Sequence, residues 1–307
     1  MISPRLAAAV LALFLTIPLG AAAQVRREGP PPRPYSKVEL SSPSAEVPML
    51  AGGEVLVEVR VDGKGPYRFA LDTGAAGGGR ISGTLAKTLG LPVVGKALAG
   101  DPSGKNSQEV EIVRTGSLSL GAAAFRDVDL VVRSFPSSDA PEREFDGILG
   151  IGLFQELLLT LDYPAHRVRI EKGELLPAAG DKEVVDFDGR RGIPNVTLKI
   201  GDVDLPADVD SGNMKGEIVL PASYLGKVPL EKDPVVVGHG RTGFNSFEIK
   251  QAPLKGAVRI GGQTVEHPVI DFVEALPHAN LGGAFLRRFA VSIDGRNRRI
   301  RFRLPAS

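Results

Sequence analysis

The chain has 307 residues, with 37 Lys and Arg against 36 Asp and Glu and a formal net charge of +1. So even a balance gives no field for nucleic acid or an anionic surface. The absence of Cys excludes disulfides, thiol nucleophiles and cysteine metal sites together, so stability must come from the apolar core.

Met1 to Arg5 makes a short basic start, Leu6 to Leu19 an apolar stretch, and Ala21-Ala22-Ala23 precedes Gln24. This predicts a secretory signal over residues 1–23, export to the periplasm or beyond, and no stable membrane insertion after cleavage. The alternative is a retained N-terminal anchor. Residues 24–48, with Pro30-Pro31-Pro32 and Pro34, predict a Pro-rich linker.

A first β unit is predicted over residues 49–175. Val55, Val57, Val59 and Val61 alternate as in a half-buried strand, and Asp62-Gly63-Lys64-Gly65 reads as a hairpin turn. The returning strand, with Tyr67, Phe69 and Leu71, delivers Asp72 into a tight turn at Thr73-Gly74-Ala75. Gly77-Gly78-Gly79 lacks the Lys of a phosphate-binding loop, so these glycines predict close approach of substrate or of the other half of the molecule. Ile81 to Leu89 is a short helix candidate. Val93 to Val113, centred on Gly100-Asp101-Pro102-Ser103-Gly104, predicts a hairpin. Asp162 to His166 predicts the turn between the last two strands.

Residues 176–190 read as a connection, and 191–307 as a second β unit repeating the first. Leu205-Pro206-Ala207-Asp208-Val209-Asp210-Ser211-Gly212-Asn213 copies the Asp turn. Leu149-Gly150, Leu157 to Asp162 and Arg167 to Ile170 recur as Leu281-Gly282, Phe289 to Asp294 and Arg299 to Phe302, at an offset of about 132 residues. Gly116 to Gly121 recurs as Gly256 to Gly261. Three segments repeated in one order predict a duplicated fold, each half contributing one Asp to a cleft on a pseudo-twofold. Two buried carboxylates brought together share a proton, so one activates water while the other polarises a carbonyl.

On these motifs the chain resembles the pepsin-like and retropepsin-like aspartic proteases, most of all the bacterial two-lobe aspartyl protease family. Asp72-Thr73-Gly74-Ala75 with Phe145-Asp146-Gly147-Ile148-Leu149-Gly150 is similar to that family's first lobe. Asp210-Ser211-Gly212 with Asn280 to Phe289 is similar to its second. The resemblance implies an all-β, bilobal acid-protease fold, with two pseudo-twofold-related lobes and an interlobe cleft. It implies Asp72 and Asp210 as the catalytic pair, and Thr73, Gly74, Ser211, Gly212 and Asn213 as support, with Thr73 and Ser211 bonding across the lobes.

The hairpin around Asp101 and Ser103, and its counterpart over Val235 to Phe247 with His239 and Arg241, resemble substrate-covering flaps. The plainer reading is two surface hairpins with Gly-rich tips. The flap Tyr of pepsin-like enzymes is missing. Ala75 stands where pepsin has a hydroxyl donating to the carboxylate, which predicts a working pH nearer neutral. Asn213 is a departure with two readings: an amide donor to Asp210, or a sign of a lobe drifting from catalysis. Asp208 either lies near Asp210 and raises its cost of charge or is solvated at its strand's start.

His166, His239, His267 and His278 have no metal-ligand spacing, and no nucleophile-elbow motif occurs, so neither zinc nor serine hydrolysis has support. Neither metal nor cofactor is expected. The sequence points to an exported aspartic endopeptidase acting, as a monomer, on peptide or unfolded protein. The competing reading is a catalytically inactive peptide-binding module on the same fold.

Overall fold

The computed structural model describes residues 33–51, 55–100, 107–133, 145–178, 180–241, 246–274 and 276–305. The expected signal sequence, the first part of the expected linker, and Asp101 and Ser103 lie outside them. The fold is all-β, in three sheets of eight, six and nine strands. The eight-stranded sheet is drawn from the first half of the chain and the nine-stranded one from the second, while the six-stranded sheet takes strands from both.

Local patterning explains the strands that carry the acids. Leu56–Val61 buries its valines and exposes Glu58 and Arg60. The chain reverses at Asp62 and Gly63, both with positive φ (50° and 75°), as the tightest hairpin turns require. The returning strand Lys64–Asp72 is exposed at its start and buried from Phe69 onward. Its buried end lies parallel to Gly147–Gly150, with Asp72 in register with Gly150. In the second lobe Val203–Val209 lies parallel to Ala279–Leu281 in the same way. Each Asp thus leaves a central strand held on both sides, which fixes its direction.

The six-stranded sheet relates the lobes. Leu158–Asp162 pairs antiparallel with Ala290–Asp294, setting Thr160 opposite Ser292. These hydroxyls are 3.0 Å apart and the residues 132 apart in sequence, the offset of the repeat. A residue therefore faces its own duplicate, and the pseudo-twofold passes through that pair. A single apolar cluster runs from Tyr35 through both lobes to Phe302.

Two segments expected to be connections hold strands, one of them on the eight-stranded sheet and two at the edges of this one. Within the expected 24–48 linker, Lys37–Leu40 pairs with Ala123–Arg133, and Ser44–Pro48 covers the edge strand Arg167–Glu171. Within the expected 176–190 connection, Val184–Asp186 covers the opposite edge at Arg299–Arg303. The cause is the same on both sides. Each lobe ends in a strand pair whose outer edge would otherwise be left unpaired. Ala45 and Val47 point inward and Glu46 outward, a two-residue alternation too brief to stand out beside the prolines.

The expected hairpins are present. Val93–Gly100 pairs with Ser107–Leu120, Val93 opposite Val113, and Val235–Arg241 pairs with Ser246–Pro253. The helix candidate forms over Gly83–Leu89, capped by Ser82, whose hydroxyl accepts the Leu85 N–H at 3.1 Å.

Candidate active site

The two Asp turns are built alike. Asp72 Oδ1 accepts the Gly74 N–H at 2.9 Å and Asp210 Oδ1 the Gly212 N–H at 3.0 Å. Both acids are buried, 1% and 2% exposed. The turns then lock crosswise. The Thr73 N–H donates to Ser211 Oγ at 2.9 Å, and the Ser211 N–H donates to Thr73 Oγ1 at 3.0 Å. The Thr73 hydroxyl continues to the Val209 carbonyl at 2.7 Å, and the Ser211 hydroxyl to the Leu71 carbonyl at 2.8 Å. Every polar group of that lattice is satisfied, as a buried network must be.

The lattice brings the carboxyl groups together. A Cβ on Gly74 would stand 2.5 Å from the Asp210 carboxyl carbon, and one on Gly212 2.5 Å from that of Asp72. Only Gly admits the opposing acid this closely. Each carboxyl group thus lies against the Gly of the opposite turn, close enough for the charge of one to be felt by the other. Thr73→Ala strips both ends of the lattice, leaving the Val209 carbonyl and the Ser211 N–H buried without partners. It is expected to cost about 3 kcal/mol, read as a lower urea midpoint, with Thr73→Ser retaining most of the stability.

The symmetry stops at the next shell of side chains. Around Asp72 the turn is apolar: Ala75 packs with Ile148, Leu56 and Ala70. Around Asp210 the matching positions are amides. Asn280 Nδ2 donates to Asp210 Oδ2 at 2.7 Å, and Asn280 Oδ1 accepts from Asn213 Nδ2 at 2.9 Å. Asn213 Oδ1 in turn accepts the Gly216 N–H at 3.1 Å. The reading of the Asn213 side chain as a donor to Asp210 thus needs correction. Its side chain serves the second acid by orienting Asn280, while its own N–H reaches Asp210 Oδ1 at 3.2 Å.

In compensation, the first lobe supplies a cation. Arg80 lies on Gly79–Ser82, opposite Ile148. It is 6% exposed, and its Nη1 is 4.0 Å from Asp72 Oδ2. The second-lobe residue opposite Asn280 is Val219. One acid therefore faces a guanidinium and the other faces neutral amide donors.

Burial, then the negative charge of Asp72, hold the Asp210 carboxyl well above the usual carboxylate range. The bond from Asn280 opposes this, and the charge of Asp208 adds to it. Burial lowers the pKa of Arg80, and the charge of Asp72 works against that. Asp208 is neither solvated nor unpaired: it forms an ion pair with Arg191 and accepts from Asn195 Nδ2 at 2.6 Å.

Of the residues singled out from sequence, Asp72, Thr73, Gly74, Asp210, Ser211, Gly212 and Asn213 converge here. His239 is exposed on the second hairpin, in register with Glu248, and Arg241 ends that strand. Gly79 serves its own lobe rather than a substrate or the opposite lobe, since a Cβ there would meet the Ile148 carbonyl oxygen at 1.9 Å. Arg80 and Asn280 are the residues that sequence reading missed. A position-by-position comparison of the repeats marks Asn280, where the first copy has Ile148. Arg80 carries no such mark, because only the strand register turns it toward the acid. Among the described residues, no group of three or more His, Cys, Asp or Glu is placed to hold a metal ion.

Two β lobes about a pseudo-twofold, each giving one buried Asp to a shared pair through an Asp-(Thr/Ser)-Gly turn, define the aspartic-protease class of fold. Residues 57–153, which span most of the first lobe, match the family model described as aspartyl protease. That match, confined to the first lobe, supports an aspartyl protease family. No curated protein matches the chain.

Proposed function

We propose that the protein is an exported aspartic endopeptidase, monomeric in action, that hydrolyses extended peptide or unfolded protein by water held between Asp72 and Asp210. One observation carries the reading: two buried carboxyl groups, each set against the Gly of the other's turn by a crosswise lattice of hydrogen bonds. The guanidinium of Arg80 favours the charged form on Asp72, while burial and that same charge favour the protonated form on Asp210. Asp72 is then the base that takes a proton from water. Asp210 is the acid that polarises the peptide carbonyl.

The resulting tetrahedral intermediate collapses as the leaving nitrogen takes a proton from the pair. Both acids come from one chain, so no second subunit is needed. Six exposed large apolar residues, Val93, Val94 and Leu98 on one hairpin and Val235, Val236 and Val237 on the other, support these hairpins as the covers of a bound peptide.

The test is a mixed peptide library incubated with the protein from acid to neutral pH in water enriched in heavy oxygen. Cleavage is expected, with one heavy oxygen entering each new carboxyl terminus, because water attacks directly and no acyl-enzyme forms. Activity should peak nearer neutral pH than strong acid, since Ala75 offers Asp72 no hydroxyl and burial keeps the proton on Asp210. Peptide binding without cleavage would return the protein to the binding-module reading.

A further inference from the structure

The duplication is broken at one place that the proposed catalysis does not use. At the repeat offset of 132 residues, Tyr163 corresponds to Gly295 and Arg287 to Gln155. On the first side Tyr163 is buried, with its ring in the field of Arg287, Asp210 and Asp72, and Arg287 reaches the Met214 carbonyl at 3.2 Å. On the other side the aromatic is gone, and Gly295 lets the backbone of Gln155 close in to 2.6 Å from where a Cβ would be. A cavity of about 320 Å³ opens there, between the first lobe, the turn after Ile293 and the segment leading into the second lobe.

The walls of this cavity are apolar and its rim is cationic. Phe154, Phe187 and Ile193 line the one, and Arg33, Arg296 and Arg298 stand at the other. The acidic residue of the lining, Glu156, is engaged by Arg33 at 3.0 Å. Among the described residues neither Arg296 nor Arg298 is in an ion pair. The buried Tyr35 hydroxyl, which has no hydrogen-bond partner among the described residues, lies in the field of the same Glu156, Arg33 and Arg296 charges. The site also adjoins both acid turns: Gly77 follows Asp72 closely in the chain, and the Pro194 carbonyl accepts the N–H of Val209, the neighbour of Asp210.

We propose that this cavity binds the C-terminal residue of a peptide, an apolar side chain against the phenylalanines and the free carboxylate on Arg296 and Arg298. Guanidinium groups match a carboxylate's two oxygens in geometry as well as charge, and a cavity of this size holds one large side chain. The peptide nature of the ligand rests on the hydrolase reading. Binding is read without turnover, so failure to cleave and failure to bind are separate results.

The experiment titrates N-acetyl-L-phenylalanine into the full chain, followed by NMR, beside N-acetyl-L-phenylalanine amide and inorganic phosphate. Saturable millimolar binding of the carboxylate is expected, weakened at least about ten-fold in the amide and in the Arg296→Gln/Arg298→Gln protein. Both arginines are exposed, so that variant should keep its fold, checked by an unchanged unfolding midpoint. Equal binding of the amide, or binding undiminished in the variant, overturns the carboxylate contact. Equal binding of phosphate overturns the apolar one, and no saturable binding overturns the site.

Discussion

Asp210→Asn, and separately Asp72→Asn, is expected to lower peptide hydrolysis by about a thousand-fold or more, while the protein stays folded. The amide keeps the shape and the acceptor oxygen that Gly212 and Gly74 use, but it can neither take a proton from water nor hand one to the leaving group. For Asp210 the structure adds an opposite effect on stability. Its folded-state pKa is raised, chiefly by burial, so its contribution is fully present below the unfolded carboxylate value of about 3.9. That contribution is lost as pH rises through the higher folded value. At neutral pH the parent therefore bears the cost of holding a proton that the unfolded chain would release, a cost that Asp210→Asn lacks. The variant should unfold at the same or a higher denaturant concentration there, with a flatter dependence on pH. Activity lost together with stability would signify a damaged fold instead, and substantial activity retained in either variant would end the two-acid mechanism.

Arg80→Leu is expected to move the whole pH–rate profile upward by about one to two units, with Arg80→Lys moving it less. The guanidinium stabilises negative charge on the pair. Removing it raises the pKa of both proton losses, so the singly protonated pair appears, and disappears, at higher pH. The charged and titratable groups around the pair are Arg80 and Arg133 on the first-lobe sheet, and Asp208 with its partner Arg191 on the second. Tyr163 and Arg287 lie toward the six-stranded sheet. Only Arg80 is a buried cation within 4.0 Å of an acid oxygen, among the described residues, which is why this one substitution should dominate. A general packing role would lower stability and rate at every pH without moving the profile, so an unshifted curve would sink the assignment.

The repeats also explain why the pair is unequal. In a symmetric dimer both acids would meet the same surroundings. Duplication within one chain releases that constraint, and the copies have diverged into Ala75, Ile148 and Arg80 on one side and Asn213, Asn280 and Val219 on the other. The first set favours charge on its acid through a cation. The second offers neutral donors, which bind a carboxylate less strongly than a cation does. In the proposed mechanism, a proton held mainly on one defined acid gives each a single task.

Much of this was legible before any coordinates. Alternation in Leu56–Val61, the Asp-Gly turn at 62–63 and the two Asp-(Thr/Ser)-Gly triplets are local patterns, set by side-chain period and by backbone freedom at Gly. The repeated blocks implied two lobes, and the Thr160–Ser292 pair lies at the offset they predicted. The tertiary structure decided what depends on register and on contacts between distant segments. The residues assigned to connections became sheet edges because open strand edges elsewhere needed partners. Asn213 serves Asp210 through Asn280, far along the chain, and Arg80 turns inward because its strand pairs with Ile148 in one register and not the next. A sequence records which groups are available, and only the folded chain fixes which of them share a low-dielectric space, where one charge or one hydrogen bond sets the chemistry.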